Sequence, residues 1–486
     1  MASATRRAAL SRGGCGLAAV LALVALACPA FPGASADESS VAPDWHVVSV
    51  TSLLPSAAVC SSARAPNSSL ALSVVHRQGP CSPLLARGAA PSHAEILDRD
   101  QDRVDSIHRR VSSAAATAIT ASSATNPARG SKGVSLPAQS GLSLGVGNYI
   151  VSVGLGTPRK DFSVVFDTGS DLSWVQCKPC NDCYDQQDPL FDPSRSSTYA
   201  PVPCGDPQCR GLDSWSCSAS GNKCRYEVVY GDQSQTDGNL ARDTLSLGPS
   251  DSLKSFVFGC GDDDSGLFGK ADGLFGLGRN KVSLASQASA KYGAGFSYCL
   301  PSSSSSTGYL SLGPASPANA QFTAMATRTD TPSFYYLDLV GIKVAGKTIR
   351  VNAAVFKSTG TVIDSGTVIT RLPSSAYRAL RSAFARPMRR YKRAPALSIL
   401  DTCYDFTGHT TVQIPAVELV FSGGATVSLD FSGVLYVSKV SQACLAFASN
   451  GDDTSLGILG NTQQRTFAVV YDVANQKIGF GAKGCT

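Results

Sequence analysis

Histidine is scarce in this chain: there are five in 486 residues, and His46, His76, His93 and His108 all precede residue 142. A histidine-based triad in the remainder would depend on His409 alone. No His-Glu-x-x-His of a zinc peptidase occurs, and neither a nucleophile elbow nor a P-loop is expected. Long apolar runs are also missing: the one extended stretch, from Gly16 to about Phe31, contains Pro29 and is shorter than the ~20 residues a spanning helix needs. Nor is there a surplus of one charge. Of 42 Lys+Arg and 36 Asp+Glu, 12 and 8 precede residue 142, leaving 30 and 28 and hence a difference of two. The cluster Arg386, Arg389, Arg390, Lys392 and Arg393 has no aromatic or Gly-rich binding module beside it. It reads as a solvated basic loop rather than a nucleic-acid surface.

What is present is a duplicated acidic motif. Asp167-Thr168-Gly169-Ser170 and Asp364-Ser365-Gly366-Thr367 lie almost two hundred residues apart, each entered from an apolar strand and each followed downstream by an apolar-apolar-Gly partner, Leu274-Phe275-Gly276 and Ile458-Leu459-Gly460. A single triplet is a weak signal, but two matched copies with matched partners point to one site built from both halves. Two carboxyls sharing a proton can serve as both acid and base in adding water to a peptide bond. Like charges held close split their pKa values, and the values belong to the pair. Gly169 and Gly366 allow the backbone to come close to the carboxyls. Thr168, Ser170, Ser365 and Thr367 can bond to the carboxylates or tie the two loops together.

With these motifs on view, the chain from about Gly147 to Cys485 resembles the pepsin-like aspartic proteases, and within them the plant branch that includes the nepenthesins and the chloroplast nucleoid DNA-binding protease. Val75-His76-Arg77-Gln78-Gly79-Pro80-Cys81-Ser82-Pro83 is similar to a propeptide motif of the nucleoid-protease subgroup. The resemblance implies an all-β, bilobal fold with the active-site cleft between two β-rich lobes. It implies Asp167 and Asp364 as the catalytic pair, acting without cofactor or metal on protein or peptide substrates, in a monomer. It further implies that Tyr230, in Val228-Val229-Tyr230-Gly231-Asp232, sits on a hairpin closing over substrate and meets the indole of Trp174. The saposin-like insert of the other large plant group is missing, since only 122 residues follow Asp364.

Sixteen cysteines divide by position: Cys15 and Cys28 in the leader, Cys60 and Cys81 in the following segment, and twelve between Cys177 and Cys485. An even dozen in a secreted chain reads as six disulfides. The Cys177-x-x-Cys180-x-x-Cys183 run also has zinc-ligand spacing, but no histidine accompanies it, and bridges are favoured. Similarity to the nepenthesins implies the pairs Cys177–Cys180, Cys183–Cys260, Cys204–Cys224, Cys209–Cys217, Cys299–Cys485 and Cys403–Cys444.

Residues 1–36 read as a secretory signal peptide: Arg6, Arg7 and Arg12 precede the apolar run, and Ala34-Ser35-Ala36 ends it. A plastid transit peptide is the alternative, disfavoured by the continuous apolar block. Residues 37–141 read as a propeptide carrying a helix over Glu95 to Arg110, with Ile96, Leu97, Val104 and Ile107 on its apolar side, and then an Ala/Ser/Thr linker from Val111 to Ser131. A basic residue such as Arg109, Arg110 or Lys132 is expected to pair with the two carboxylates and hold a zymogen inactive. The only sequon, Asn67-Ser68-Ser69, would carry glycan in the propeptide. The lobes are expected at 142–320 and 321–486, and a serine-capped helix at Leu372 to Phe384. The expected product is a secreted endopeptidase of the apoplast or vacuole. The rival readings are a plastid protease with DNA-binding activity and a non-catalytic relative resembling the plant xylanase inhibitors.

Overall fold

The computed structural model describes residues 44–53, 60, 71–76, 81–83, 92–121 and 149–485, apart from 231–232, 249–250, 267, 303–305 and 314–315. The signal peptide, the sequon at Asn67, Lys132 and the end of the expected linker lie outside the described residues. Short β-strands dominate, as the Val, Ile, Phe and Tyr runs broken by Gly, Pro and Asp require. The architecture is bilobal and all-β.

In the first lobe, strand Tyr149–Leu155 pairs antiparallel with Lys160–Asp167, and the latter runs parallel to Gly273–Gly276 with Asp167 opposite Gly276. The second lobe repeats the device: Thr361–Ile363 runs parallel to Gly457–Leu459. The duplicated apolar-apolar-Gly segments are thus the parallel neighbours of the two acidic loops. Both are buried, which is why they read as continuous apolar runs rather than alternating ones. A sheet shared by both lobes lies beneath, in which Phe296–Cys299 pairs with Ala468–Asp472 and Thr307–Leu312. Phe296, Tyr298, Tyr335 and Tyr471 pack there ring against ring.

The segment before residue 142 is woven into this frame. Strand Trp45–Ser49 pairs with Thr411–Pro415, and Ala71–His76 pairs with both Thr307–Leu312 and Tyr149–Leu155. The helix spans His93–Ala121, so it continues well into the stretch expected to be an unstructured linker. Its start is a capping box: Ser92 Oγ accepts from the Glu95 N–H at 3.2 Å, and the Glu95 carboxylate accepts from the Ser92 N–H at 2.6 Å. Leu97, Val104 and Ile107 are buried, on the side where they were expected, and Ile96 is half-buried.

Three further expectations need correction. The helix at Ser374–Ala385 is not capped by its own serine; Asp453 accepts from the Ser375 N–H at 2.7 Å instead. Gly341 to Thr348 in fact spells the Gly-x-x-x-x-Gly-Lys-Thr string of a P-loop. It forms a hairpin, with Leu339–Val344 paired to Lys347–Thr348 and Ala345 and Gly346 at φ 44° and 69° in the turn, not a strand-to-helix passage. The disulfides are also redistributed. Cys299–Cys485 and Cys403–Cys444 form as expected, but the others pair as Cys177–Cys260, Cys180–Cys183, Cys204–Cys217 and Cys209–Cys224. A seventh, Cys60–Cys81, closes within the leading segment.

Candidate active site

The two acidic loops face each other where the lobes meet. Thr168 and Ser365 lock them reciprocally: the Thr168 N–H donates to Ser365 Oγ at 3.1 Å, and the Ser365 N–H donates to Thr168 Oγ1 at 2.9 Å. Asp167 and Asp364 are both fully buried. Each carboxylate accepts from the N–H two residues on, Gly169 and Gly366, at 3.0 Å. The glycines are required by crowding. A Cβ on Gly169 would sit 2.7 Å from Asp364 Oδ1, and one on Gly366 would sit 2.4 Å from Asp167 Oδ1.

The hydroxyls are not equivalent. Thr367 donates to Asp364 Oδ2 at 2.6 Å, whereas Ser170 lowers Asp167 only weakly, since Ser170 Oγ and Asp167 Oδ2 are buried without a hydrogen bond of good geometry. Behind the loops, Asn461 donates to the Ser365 carbonyl at 3.0 Å, and Gln464 donates to the Asp364 carbonyl at 3.2 Å.

Arg103, on the helix from the leading segment, joins the two carboxylates. Its Nη2 donates to Asp167 Oδ1 at 2.7 Å and to Asp364 Oδ1 at 3.0 Å, and its Nε donates to Asp364 Oδ2 at 2.9 Å. One nitrogen therefore touches both acids, which fixes them within reach of a common small group. Burial raises Asp167, and the charge of Asp364 adds to this against the opposing pull of Arg103. Burial acts on Asp364 too, but the Arg103 guanidinium with the Thr367 and Gly366 hydrogen bonds holds it below the ordinary carboxylate value.

Arg103 replaces the basic residues expected from sequence. Arg110 instead lies over the Phe334 ring at 4.8 Å. One turn before Arg103, Asp100 accepts from the Val368 N–H and from the Ile369 N–H at 3.1 Å, and lies 3.0 Å from Arg371 Nη2.

Above the site, Cys224–Val229 and Gln235–Ser246 form the expected hairpin, and Tyr230 sits beyond its first strand. The Trp174 indole N–H donates to Tyr230 Oη at 2.7 Å, and both rings pack on Phe268. A cavity of about 610 Å³ remains between the Arg103 helix and this hairpin, lined by Ile107, Ser170, Leu172 and Tyr230 among others. Within the basic cluster after residue 385, Arg390 lies over Trp45 and Tyr391, Arg393 over Tyr404, and Lys392 is 3.3 Å from Asp405.

Comparison with known proteins agrees with this geometry. The family models described as xylanase inhibitor N-terminal and C-terminal match residues 149–314 and 334–482. An aspartyl protease family protein of Arabidopsis thaliana is 48% identical over 453 residues, covering 91% of this chain and 94% of that one. The chain belongs to the plant aspartic proteases. As a member of that family it is an aspartic-type endopeptidase. Nepenthesin-2 of Nepenthes gracilis is 36% identical over 353 residues, covering 70% of this protease and 78% of its own chain. Among solved structures, that of edgp superposes with a TM-score of 0.58 at 21% identity, covering 69% of this chain and 91% of that one; it supports the bilobal fold alone. No helix among the described residues is long and apolar enough to cross a membrane.

Proposed function

We propose that this protease hydrolyses peptide bonds with Asp167 and Asp364 as its catalytic pair, and that it is made as a secreted zymogen. The observation that carries the reading is the single Arg103 nitrogen bonded to both carboxylates. Once that nitrogen withdraws, a water can occupy the same position. Asp364, which keeps its Thr367 hydrogen bond, takes a proton from the water as its oxygen attacks the carbonyl carbon. Asp167, which is the acid raised by burial, gives a proton to the carbonyl oxygen. Collapse of the tetrahedral species then returns the carbonyl, passes a proton to the leaving nitrogen and breaks the C–N bond. No covalent enzyme intermediate forms, and the acids exchange roles. Tyr230, held by Trp174, closes over an extended substrate and excludes water.

The zymogen reading has three supports. Arg103 occupies the water position, the helix that carries it lies against both acidic loops, and Cys60–Cys81 is internal to the leading segment. Cutting between that segment and a mature enzyme beginning near residue 142 would leave no covalent tie. Secretion to the apoplast or vacuole is supported by the leader's basic-then-apolar pattern and by seven disulfides. A fluorescent fusion of residues 1–60 distinguishes this from a plastid destination. A purely inhibitory role is disfavoured because both aspartates keep their Gly N–H bonds, and Asp364 its Thr367 hydroxyl, in bonding geometry. Pepstatin-sensitive cleavage of an unfolded protein at pH 4 by the acid-treated full chain tests the hydrolytic reading, and no cleavage would overturn it.

A further inference from the structure

Arg371 belongs to the second lobe, on the strand Thr370–Leu372 that follows the second acidic loop. It is fully buried, yet the acids that act on it, Asp100 and Asp105, both belong to the leading helix. Its Nη1 donates to the Ile369 carbonyl at 2.8 Å. Its Nη2 pairs with Asp100 Oδ2 at 3.0 Å, while its Nε is buried without a hydrogen-bond partner. The same Asp100 carboxylate takes the N–H groups of Val368 and Ile369. A guanidinium and two converging backbone N–H groups make a carboxylate cradle. In the precursor, the propeptide's own aspartate fills it.

The cradle's place relative to the dyad follows from helix geometry. Asp100 and Arg103 are at i and i+3, neighbours on one helix face with Cβ atoms ~5–6 Å apart. An extended peptide rises ~3.3 Å per residue, and its side chains alternate in direction. A side chain two to three residues from the scissile bond therefore reaches the position Asp100 holds. When the helix leaves, Arg371 loses its counter-ion, and a buried cation without an anion is costly. A substrate carboxylate restores the pairing.

We propose that Arg371, with the Val368 and Ile369 N–H groups, forms an anionic subsite of the activated protease that selects substrates bearing Asp or Glu two to three residues from the cleaved bond. This rests on the reading of Asp167 and Asp364 as the hydrolytic pair. Asp100 is then a substrate mimic, and Arg103 and Asp100 together imitate both the reacting centre and a specificity contact.

The test is a positional series of peptides carrying Glu or Gln at each position flanking one cleavage site, cleaved at pH 5 by the acid-treated full chain. The subsite predicts that Glu exceeds Gln in kcat/KM by at least about tenfold at one position within three residues of the bond. It also predicts that Arg371→Met brings the Glu-to-Gln ratio to about one. Cleavage with equal rates for Glu and Gln everywhere overturns the subsite and leaves the hydrolytic reading standing. Undiminished selectivity in Arg371→Met overturns the assignment to Arg371. No cleavage of any peptide sinks the hydrolytic reading and the subsite with it. Should Arg371→Met not fold, the wild-type ratio still decides whether the subsite exists. Arg371→Lys, which keeps the charge but loses the fork, must then lower that ratio.

Discussion

Replacing Arg103 with Gln removes three charge-assisted hydrogen bonds from two carboxylates that are fully buried, while the arginine side chain itself is only 7% exposed. Solvent screening is therefore small, and removing one partner of such a buried cluster costs roughly 3–5 kcal/mol. That corresponds to a loss of about two to three and a half orders of magnitude in the ratio of docked to undocked helix. Uptake of a proton by the dyad recovers part of it.

The pH dependence follows the same contact. Docked Arg103 works against burial at both carboxyls, and it holds Asp364 below its ordinary value while Asp167 stays above its own. The Arg103–Asp364 contribution is therefore complete above the ordinary carboxylate value and lost as pH falls through the lowered one. Asp100 and Asp167 work the other way, because burial raises both despite the neighbouring arginines. The ion pair of Arg103 with Asp364 predicts a precursor that is shut at pH 7 and opens in acid, below the ordinary carboxylate value of about 4. Cleavage of a fluorogenic peptide by the full chain, followed from pH 3 to 7, reads this directly. Arg103→Gln should move the opening midpoint upward and shorten the lag, and Arg103→Lys, lacking the planar fork, should fall between the two. A pH profile and lag for Arg103→Gln that match the wild type would refute the clasp.

Thr367→Val removes the hydroxyl that bonds Asp364 and should raise the lower limb of the pH–rate profile, whereas Ser170→Ala, whose hydroxyl acts on Asp167, should leave that limb in place; equal shifts in both would contradict the asymmetry. Tyr230→Phe deletes the acceptor for the Trp174 indole and should cost about 1 kcal/mol in thermal or urea unfolding together with several-fold in kcat/KM, and unchanged values would show that the pair does not support closure. Peptide mapping without reduction should recover Cys204 with Cys217 and Cys209 with Cys224, and recovery of Cys204 with Cys224 would contradict the structure.

The fold and the dyad were legible because the chain duplicates its motif and also supplies each copy's parallel neighbour. Asp264-Ser265-Gly266 spells the same triplet and Leu267-Phe268-Gly269 follows it at once, but the triplet finishes the long strand Ser252–Ser265, with Asp264 bonded to Thr236. Trp174 and Tyr230 were legible through family resemblance, since nothing in local pattern joins an indole to a hydroxyl 56 residues away. Arg103 was harder to find. Apolar spacing located its helix, but several basic residues lie along it, and which one meets the acids depends on how the helix seats against both lobes. Its signal was the Asp100-x-x-Arg103 pair, one acid and one base on the same face as Leu97, Val104 and Ile107. The disulfide shuffle has a similar origin. Cysteines three residues apart at 177, 180 and 183 permit several pairings, and the strand register that sets Val175 beside Cys260 decides among them.

The central claim is tested most directly by the acid-treated full chain and its Asp167→Asn and Asp364→Asn variants, each checked for native folding and then assayed on the same unfolded protein at pH 4. Loss of cleavage in both variants is predicted, by at least about three orders of magnitude, because each removes half of a proton-sharing pair. Full activity in either variant would contradict it.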